Sequence, residues 1–234
     1  MFLYKVKQIA QSLFHYPKIQ LGADYDRYWE TRGLGAELNS FQRTRADLIL
    51  GLARPGSSML DIGGGDGRIL SYLKTHGNFT RLVNVDISSS ALAVARKNGI
   101  EIIEDDITRP EVVANLPPAD YILLLEVIEH IPRSEELLRA AFARAGKGVF
   151  FSVPNTGFVA HRLRLLLGRF PLQWRINPSE HLRFWTAADL RSWLKDQNYS
   201  RHSVYLYEGL PWLGRLWPAL FAEGIFVYLP KANF

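Results

Sequence analysis

From about residue 40 onward, short apolar runs alternate with longer segments in which apolar residues recur every three or four positions. The longer segments predict amphipathic helices, and the short runs predict buried strands. In chain order, the runs that predict strands are SMLDI, RLVNVDI, EIIED, DYILLLEV and KGVFFSVP. Strands and helices that alternate in this way are typical of a parallel sheet with helices on both faces.

Polar residues mark where several of the predicted helices begin. Asn39 or Ser40 is placed to cap one helix, Ser88 or Ser89 to cap a second, and Thr186 to cap a third. Their side chains can accept hydrogen bonds from backbone N–H groups that the first turn of a helix leaves unpaired. We therefore expect helices to start at these positions.

Two late apolar runs, HSVYLYE and GIFVYL, flank an aromatic stretch that contains prolines. Because few residues separate them, these strands are expected to pair antiparallel. The predicted fold is an α/β Rossmann-like three-layer sandwich with a seven-stranded, mostly parallel sheet whose last strand is antiparallel. We divide the chain into an N-terminal helical or cap segment, 1–39, and one domain, 40–234, with insertions at about 156–185 and 208–223.

The composition limits the class of protein. A chain of 234 residues that is 47% hydrophobic suits one packed domain. The chain has no cysteine, which excludes disulfides, thiolate metal sites and cysteine nucleophiles. Because the sequence also has no recognisable export signal and no membrane-spanning run, we expect a cytoplasmic protein. The net charge is +5, but the basic residues are scattered, so the pattern disfavours a nucleic-acid groove.

Two amphipathic stretches, FLYKVKQIAQSLF and LPWLGRLWPALF, have no assigned role from the pattern alone. They are compatible with peripheral membrane contact, with closure over a substrate, and with a core or dimer contact. We expect a monomer or homodimer, in the cytoplasm or associated with a membrane.

The segment DIGGGDG occupies the first predicted strand-to-helix turn, where open α/β sheets bind ligands. A dinucleotide loop would need a third glycine where Arg68 stands, so an NAD-dependent enzyme is the weaker alternative. Asp61 and Asp66 flank the glycines and favour a cationic ligand. Asp86, about twenty residues farther on, suits a ribose diol. A nucleoside that carries a positive charge is S-adenosylmethionine.

The segments MLDIGGGDGRIL, VNVDIS, IIEDDIT and YILLLEVIEHIP resemble the four successive motifs of class I S-adenosylmethionine-dependent methyltransferases, in order and at the family's spacing. The resemblance covers about residues 40–155 and implies that family's fold and cofactor. It implies these cofactor-binding residues: Asp61, Gly63, Gly64, Gly65, Asp86, Ile87, Asp106, Ile107 and Leu125. Gly64 stands where many members have Cys or Ala. We expect this departure to be harmless, because the backbone makes the contact.

The stretch EVIEHIP carries polar groups that a buried strand end does not need. If the chain turns helical after the strand, Glu126, Glu129 and His130 lie on one face. They are then either acid–base groups or ligands of a divalent cation, with the alternative that Glu129 caps and His130 packs. His181 lies in an irregular segment from which it could fold over the pocket.

The E-x-x-E-H run with a later His before an aromatic-Trp-Thr run resembles the metal-dependent small-RNA 2′-O-methyltransferases, and its first part resembles the ubiquinone-biosynthesis O-methyltransferases. This resemblance implies Glu126, Glu129, His130 and His181 as ligands of Mg²⁺ or Mn²⁺, with Zn²⁺ also compatible. Three interpretations stay open: this metal site, His130 as a metal-free base aided by Glu129, and a scaffold role.

The C-terminal half, through FFSVPNTGFVAHRLRLLLGRFP and LFAEGIFVYL, resembles the MetW-like branch of the superfamily. That resemblance leaves open a non-catalytic or regulatory partner that keeps the cofactor fold. Tyr28, Asn155 and His181 are candidates for the acceptor pocket, although Asn155 after proline is equally a turn former. We expect O-methylation of a hydroxyl on a small molecule, sugar or glycolipid, with a nitrogen or carbon acceptor as the rival.

Overall fold

A computed structural model describes residues 2–15, 29, 33–171 and 181–231, and the structural statements below concern these residues. The helices are α1 (Phe2–Phe14), α2 (Ser40–Leu52), α3 (Arg68–His76), α4 (Ser89–Lys97), α5 (Pro110–Asn115), α6 (Ser134–Arg144), α7 (Val159–Leu166), α8 (Ala187–Asp196), α9 (Pro211–Leu216) and α10 (Pro218–Phe221), with a 3-10 turn at Ile128–His130. The strands are β1 (Ser57–Ile62), β2 (Phe79–Asp86), β3 (Glu101–Glu104), β4 (Ala119–Leu125), β5 (Ala145–Pro154), β6 (Ser203–Tyr207) and β7 (Gly224–Pro230).

Within the described ranges the strands form one seven-stranded sheet in the order β3-β2-β1-β4-β5-β7-β6. The first five strands are parallel, and β7 runs antiparallel to both of its neighbours, β5 and β6. The predicted fold class is therefore confirmed. The strand order reverses between β1 and β4, so the carboxyl end of β1 opens onto the crevice where such sheets bind ligands.

Apolar side chains from alternate positions along the strands pack on both faces of the sheet. On β1, Leu60 and Ile62 belong to one core cluster, and Met59 belongs to the cluster on the other face. This two-sided burial explains why the strands read as continuous apolar runs. It also holds the carboxyl ends of β1, β2 and β4 in fixed relative positions, which is what a preformed site requires.

The predicted helix caps are confirmed, and the structure chooses between the paired candidates. Asn39 caps α2 in a reciprocal arrangement with Gln42, and Ser88 caps α4. Thr186 caps α8 by accepting from the backbone of Asp189. Each cap acts within three residues of the chain, which is why the sequence alone was sufficient.

Helix α1 is attached to the C-terminal half of the chain. The guanidinium of Arg164, on α7, donates to the backbone carbonyl groups of Leu13 and His15 at 3.1 Å each. At the other end of α1, the ammonium of Lys5 pairs with Glu223 at 2.9 Å. No described helix is both long enough and apolar enough to span a bilayer.

Candidate functional site

A cavity of about 780 Å³ lies at the carboxyl ends of β1 and β4. The glycine turn after β1 forms one wall, and the 3-10 turn after β4 forms another. Helices α1 and α7 border the cavity through Ile9 and Ser12 on one side and Ala160 and His161 on the other. The cavity therefore brings part of the predicted cofactor set together with the residues after β4 and with His181; the predicted residues that line it are Asp61, Gly63, Gly64, Leu125, Glu126, Glu129, His130 and His181. Gly65, Asp86, Ile87, Asp106 and Ile107 are not among its lining residues.

The glycine turn has a backbone that other residues cannot adopt. Gly63 and Gly65 have φ values of 77° and 58°, in the left-handed region that favours glycine. A Cβ atom on Gly63 would lie 2.7 Å from a methyl group of Val127, and the same added Cβ would lie 3.5 Å from Ile107. Bare backbone is thus needed for packing as well as for close approach of a ligand.

Gly64 lies in a tightly filled space. A Cβ on Gly64 would lie 2.2 Å from Asn84 Oδ1 and 2.6 Å from Asp61 Oδ2. Asn84 cannot move away easily, because it is buried and its Nδ2 donates to the carbonyl of Gly65 at 2.7 Å. Glycine in place of Cys or Ala thus has a structural reason in this chain, and the expectation that it does not harm cofactor binding stays a prediction.

Asp86, at the end of β2, holds the turn from the other side. Its Oδ2 accepts from the backbone N–H of Gly65 at 2.8 Å, and its Oδ1 accepts from the N–H of Ser88 at 3.0 Å. Each carboxylate oxygen keeps further lone-pair capacity, so Asp86 can still accept from a diol. Ile87 beside it is 47% exposed and offers an apolar surface next to the turn.

Asp106 and Leu125, two further predicted cofactor residues, occupy different settings. Asp106 Oδ1 accepts from the backbone and hydroxyl of Thr108 at 2.9 and 2.7 Å, which organises the turn after β3. Leu125 ends β4 and lines the cavity. Their roles in cofactor binding stay predictions.

Asp61 is a buried carboxyl group that lines the cavity. Its Oδ1 has no hydrogen-bond partner among the described residues. Burial, and then the charge of Asp86, raise the pKa of Asp61 to about 7. A cationic group in the cavity would stabilise the ionised form of this carboxyl.

Asp66 does not supply the free negative charge that the sequence suggested. Arg68 Nε lies 2.8 and 2.9 Å from its two oxygens, and the N–H of Gly35 donates to it at 3.0 Å. The residue at the N-cap of α3 is Gly67, so Asp66 does not occupy the cap position of that helix. The residue that breaks the dinucleotide pattern, Arg68, is the one that neutralises Asp66.

Trp29 covers the glycine turn. A Cβ on Gly65 would lie 1.9 Å from the Trp29 indole, so the ring rests directly on the backbone. The same indole also contacts Arg68, whose guanidinium lies 5.9 Å from the ring centroid. The acceptor-pocket candidate Tyr28 lies outside the described residues.

Glu126 does not join Glu129 and His130 on a helical face. It has φ 58°, and only Ile128–His130 form a 3-10 turn. Its Oε1 pairs with Arg45 at 2.9 Å and accepts from the Ser152 hydroxyl at 2.7 Å. Of the four predicted ligands, Glu126 is therefore the one that the structure sets apart, because Arg45 already holds its carboxylate.

The structure brings Glu129, His130 and His181 together. One ligand atom from each, a carboxylate oxygen and two ring nitrogens, lies within 4.8 Å of the others. The carbonyl of Glu129 accepts from the N–H groups of Leu182 and Arg183 at 2.8 and 3.1 Å, which anchors the segment that carries His181. The two imidazole rings meet edge to face, with centroids 4.6 Å apart.

Burial sets the protonation of this cluster. Burial, and then the charge of Glu126, raise the pKa of Glu129 well above its ordinary value. Burial, and then His130, lower the pKa of His181 to about 3. At neutral pH the His181 imidazole is therefore uncharged, and the carboxyl of Glu129 takes up a proton more readily than an exposed glutamate does.

Asn155 is a structural residue rather than a wall of the acceptor pocket. It is fully buried, and its Nδ2 donates to the carbonyl groups of Ala219 and Ala222 at 3.1 and 2.8 Å. Its Oδ1 accepts from the N–H of Gly157 at 2.9 Å. The turn-former alternative was the correct one, because every polar atom of the side chain is used inside the fold.

The sequence analysis missed two cavity residues, Arg45 and His161. Arg45 lies at the buried face of α2, where a charge between Phe41 and Ile49 could have signalled a role. His161 has an Nδ1 atom without a partner among the described residues, and burial lowers its pKa to about 4. Nothing in the sequence around His161 marked it.

A family model described as "Methyltransferase domain" matches residues 36–204 of the chain. The ubiquinone biosynthesis O-methyltransferase of Azoarcus sp. (strain BH72) is 31% identical over 146 residues, which cover 58% of this chain and 60% of that protein. The chain thus spans less than two thirds of the Azoarcus protein. The protein of the same name from Xanthomonas campestris pv. campestris (strain B100) is 24% identical over 220 residues, covering 89% of this chain and 90% of that protein.

Solved structures show the same fold. The crystal structure of a SAM-dependent methyltransferase from Archaeoglobus fulgidus matches with a TM-score of 0.62 and 15% identity. The match covers 89% of this chain and 100% of that one. At this level of identity the likeness concerns the fold alone.

Proposed function

Because the chain belongs to the methyltransferase-domain family, within the class I S-adenosylmethionine-dependent methyltransferases, we propose that it transfers a methyl group to a hydroxyl oxygen. The observation that carries the proposal is the cluster of Glu129, His130 and His181 on the cavity that the glycine turn also lines. Hydroxyl groups are weak nucleophiles at neutral pH, and such a cluster can activate one.

The residues around the glycine turn fit S-adenosylmethionine. Gly63 and Gly64 line the cavity with bare backbone, Asp86 offers acceptors for the ribose, and Asp61 offers a buried carboxyl to a cationic group. When bound there, S-adenosylmethionine would supply an electrophilic methyl group on a sulfonium. The role of the turn is to hold and orient it.

The acceptor side has a simple task. The acceptor oxygen forms a bond to the methyl carbon as the bond from carbon to sulfur breaks, and the hydroxyl proton leaves to a base. His130, 26% exposed at its side chain and next to the cavity, is placed to take that proton at a ring nitrogen. In-line alignment of acceptor and methyl group supplies much of the remaining rate.

A divalent cation would fit the same cluster. Glu129 Oε2 is buried and has no hydrogen-bond partner among the described residues. A buried oxygen without a hydrogen bond destabilises the fold, so a purely structural role does not account for this residue. We propose Glu129, His130 and His181 as the ligands, and one carboxylate with two imidazoles suits Mn²⁺ better than Mg²⁺. When bound, the cation would polarise the acceptor oxygen. A non-catalytic, MetW-like partner would have no need of this buried cluster.

The cation proposal predicts pH-dependent binding of Mn²⁺. Because burial raises the pKa of Glu129, a proton must leave before the carboxylate can bind, so affinity should rise with pH. Titration calorimetry should show Glu129→Gln to bind Mn²⁺ at least about 10-fold more weakly. Glu136→Gln, an exposed change on α6, is the control. Equal affinity in wild type and Glu129→Gln would exclude the metal site.

Cofactor binding should also depend on pH, through Asp61. Its pKa of about 7 means that the carboxyl is protonated below that pH and cannot pair with the ammonium of S-adenosylhomocysteine. Affinity measured by calorimetry should therefore fall as the pH is lowered, approaching about 10-fold per pH unit below pH 7. Asp61→Asn should bind weakly with a flat profile. A flat profile in the wild type would exclude this contact.

The transfer itself is tested with S-adenosylmethionine that carries a labelled methyl group. Candidate acceptors are a catechol, a monosaccharide and a detergent-dispersed glycolipid, with a primary amine as the nitrogen rival. Label on a hydroxyl oxygen supports the proposal. Label on the amine alone would overturn it.

Exposed apolar side chains bear on the acceptor class. Most of the large ones belong to three segments, 2–14, 163–170 and 211–221, which contain basic residues and no Asp or Glu. We call these segments the apolar rim; its exposed members are Leu3, Tyr4, Val6, Phe14, Leu163, Leu165, Leu166, Leu167, Phe170, Trp212, Leu216 and Trp217. The contact between Arg164 and Leu13 joins segment 163–170 to segment 2–14. Lys5 pairs with Glu223, two residues beyond the end of segment 211–221.

We propose that the apolar rim contacts an anionic membrane surface, so that a glycolipid acceptor is favoured over a free sugar. Apolar side chains interleaved with cations suit such a surface, and α1 and α7 also border the cavity.

The proposal predicts binding to vesicles of phosphatidylcholine and phosphatidylglycerol in equal parts, and little binding to phosphatidylcholine alone. Arg215→Glu, within the rim, should weaken partitioning by about 10-fold or more in a flotation assay. Arg96→Glu makes the same change of charge on α4 and should have little effect. If Leu166→Ser instead dissociates a dimer seen by light scattering, and no variant affects flotation, the rim is a homodimer contact.

A further inference from the structure

A second concavity, of about 300 Å³, lies at the opposite end of the sheet from the methyl-transfer site. It is lined by Arg54, Tyr121, Lys147, Arg201, Tyr228, Pro230 and Lys231, which we call the basic pocket. Lys147 lies near the start of β5, a strand of ten residues whose other end, Pro154, borders the functional cavity. Since such a strand spans about 30 Å, the two cavities cannot share a small ligand.

Positive charge in the basic pocket exceeds the negative charge available to balance it. Lys147 pairs with Asp120 at 3.1 Å, and Asp120 also accepts from the N–H of Ser58 at 2.8 Å. Among the described residues, no carboxylate forms an ion pair with Arg54 or Arg201. Four cations that converge on one concavity repel one another, so an anion bound among them would stabilise the arrangement.

The fourth cation, Lys231, has no carboxylate partner among the residues that the structure describes. Lys231 Nζ donates to the carbonyl of Ala143 at 3.1 Å and lies 5.6 Å from the Phe142 ring centroid. Its backbone N–H donates to the carbonyl of Lys147 at 2.9 Å, which ties the end of β7 to β5. The ammonium is thus positioned by neutral groups and keeps its full charge.

The floor of the basic pocket is aromatic, neutral and tightly packed. The Tyr121 hydroxyl accepts from the backbone N–H of Arg54 at 3.2 Å. Burial, and then Tyr121, raise the pKa of Tyr228 to about 12, so this phenol adds no negative charge. The Tyr228 ring stacks on Phe150 with centroids 4.6 Å apart, and it fills the space beside Gly148. The pocket is therefore preformed.

We propose that the basic pocket binds a phosphate-bearing small molecule. A guanidinium group can donate two parallel hydrogen bonds to the oxygens of one phosphate. Among the described residues, no ion pair with a carboxylate occupies the guanidinium of Arg54 or Arg201. Lys147 and Lys231 add charge at the same concavity. A pocket of this size accommodates a phosphate group together with a small group that carries it.

The test uses inorganic pyrophosphate and the full chain. Calorimetry at constant ionic strength, with saturating S-adenosylhomocysteine present, should show one saturable site. Arg54→Gln and Arg201→Gln should each weaken pyrophosphate binding by about 10-fold or more, because each removes charge-assisted hydrogen bonds. Arg96→Gln, an exposed change on α4, should leave it unaltered.

Three outcomes would overturn the proposal: no saturable binding, equal binding in the Arg54, Arg201 and Arg96 variants, or loss of binding when S-adenosylhomocysteine is added. The last would place the anion at the glycine turn. Thermal unfolding of each variant verifies that it is folded. Because the readout is anion binding rather than methyl transfer, the basic pocket can fail while the proposed function stands, and the reverse also holds.

Discussion

Replacing Asp86 with alanine is expected to weaken the binding of S-adenosylhomocysteine by at least about 100-fold. The variant loses the acceptors proposed for the ribose hydroxyls. It also loses the bond at 2.8 Å that fixes the backbone of Gly65 and the bond at 3.0 Å to Ser88. Titration calorimetry measures the affinity, and circular dichroism verifies that the variant is folded.

Two further variants separate the causes of this loss. Asp86→Asn keeps one acceptor oxygen but loses the second acceptor and the negative charge, so its affinity should be intermediate. Glu104→Ala removes an exposed carboxylate at the end of the neighbouring strand β3 and should bind normally. Wild-type affinity in Asp86→Ala would refute the ribose assignment.

Replacing His130 with alanine is expected to reduce turnover by about 100- to 10,000-fold while cofactor affinity is retained. In both proposed arrangements His130 acts on the acceptor, either as the base or as a cation ligand beside Glu129 and His181. Initial rates with the best acceptor, together with calorimetry for S-adenosylhomocysteine, give the two quantities.

Mn²⁺ binding distinguishes the two roles of His130. If His130 is a ligand, His130→Ala should lose Mn²⁺ affinity together with turnover; if it is a metal-free base, turnover alone should fall. His76→Ala, an exposed change on α3, is the matched control. Normal turnover in His130→Ala would show that His130 has only a structural role.

The order of strands and helices could be predicted from the sequence because its signals are local. The cap that Asn39 provides acts on Gln42, three residues away. The continuous apolar runs predict strands that are buried on both faces of the sheet, and the glycines after β1 predict a turn with positive φ values. The antiparallel pairing of β6 with β7 was predicted from the short connection between them, whereas the position of β7 between β5 and β6 was not.

The chemistry of individual carboxyl groups could not be predicted in the same way. Asp66 and Glu126 both looked available in the sequence, yet Arg68 holds one and Arg45 holds the other. Arg45 comes from α2 and meets Glu126 only when β4 and α2 pack together. The sequence also gave no sign that Asn84, from the neighbouring strand, fills the space beside Gly64 and excludes a larger residue there.

The sequence by itself determined the fold, the glycine turn and the family, because periodicity, caps and motif spacing depend on residues that are neighbours along the chain. Only the tertiary structure decided which charged side chains are neutralised by a partner. It also showed that the backbone carbonyl of Glu129 anchors the segment that carries His181, and that four cations surround a second pocket. The physical reason is that burial and Coulomb interactions depend on distances in space, and these distances are set by packing between segments far apart in sequence.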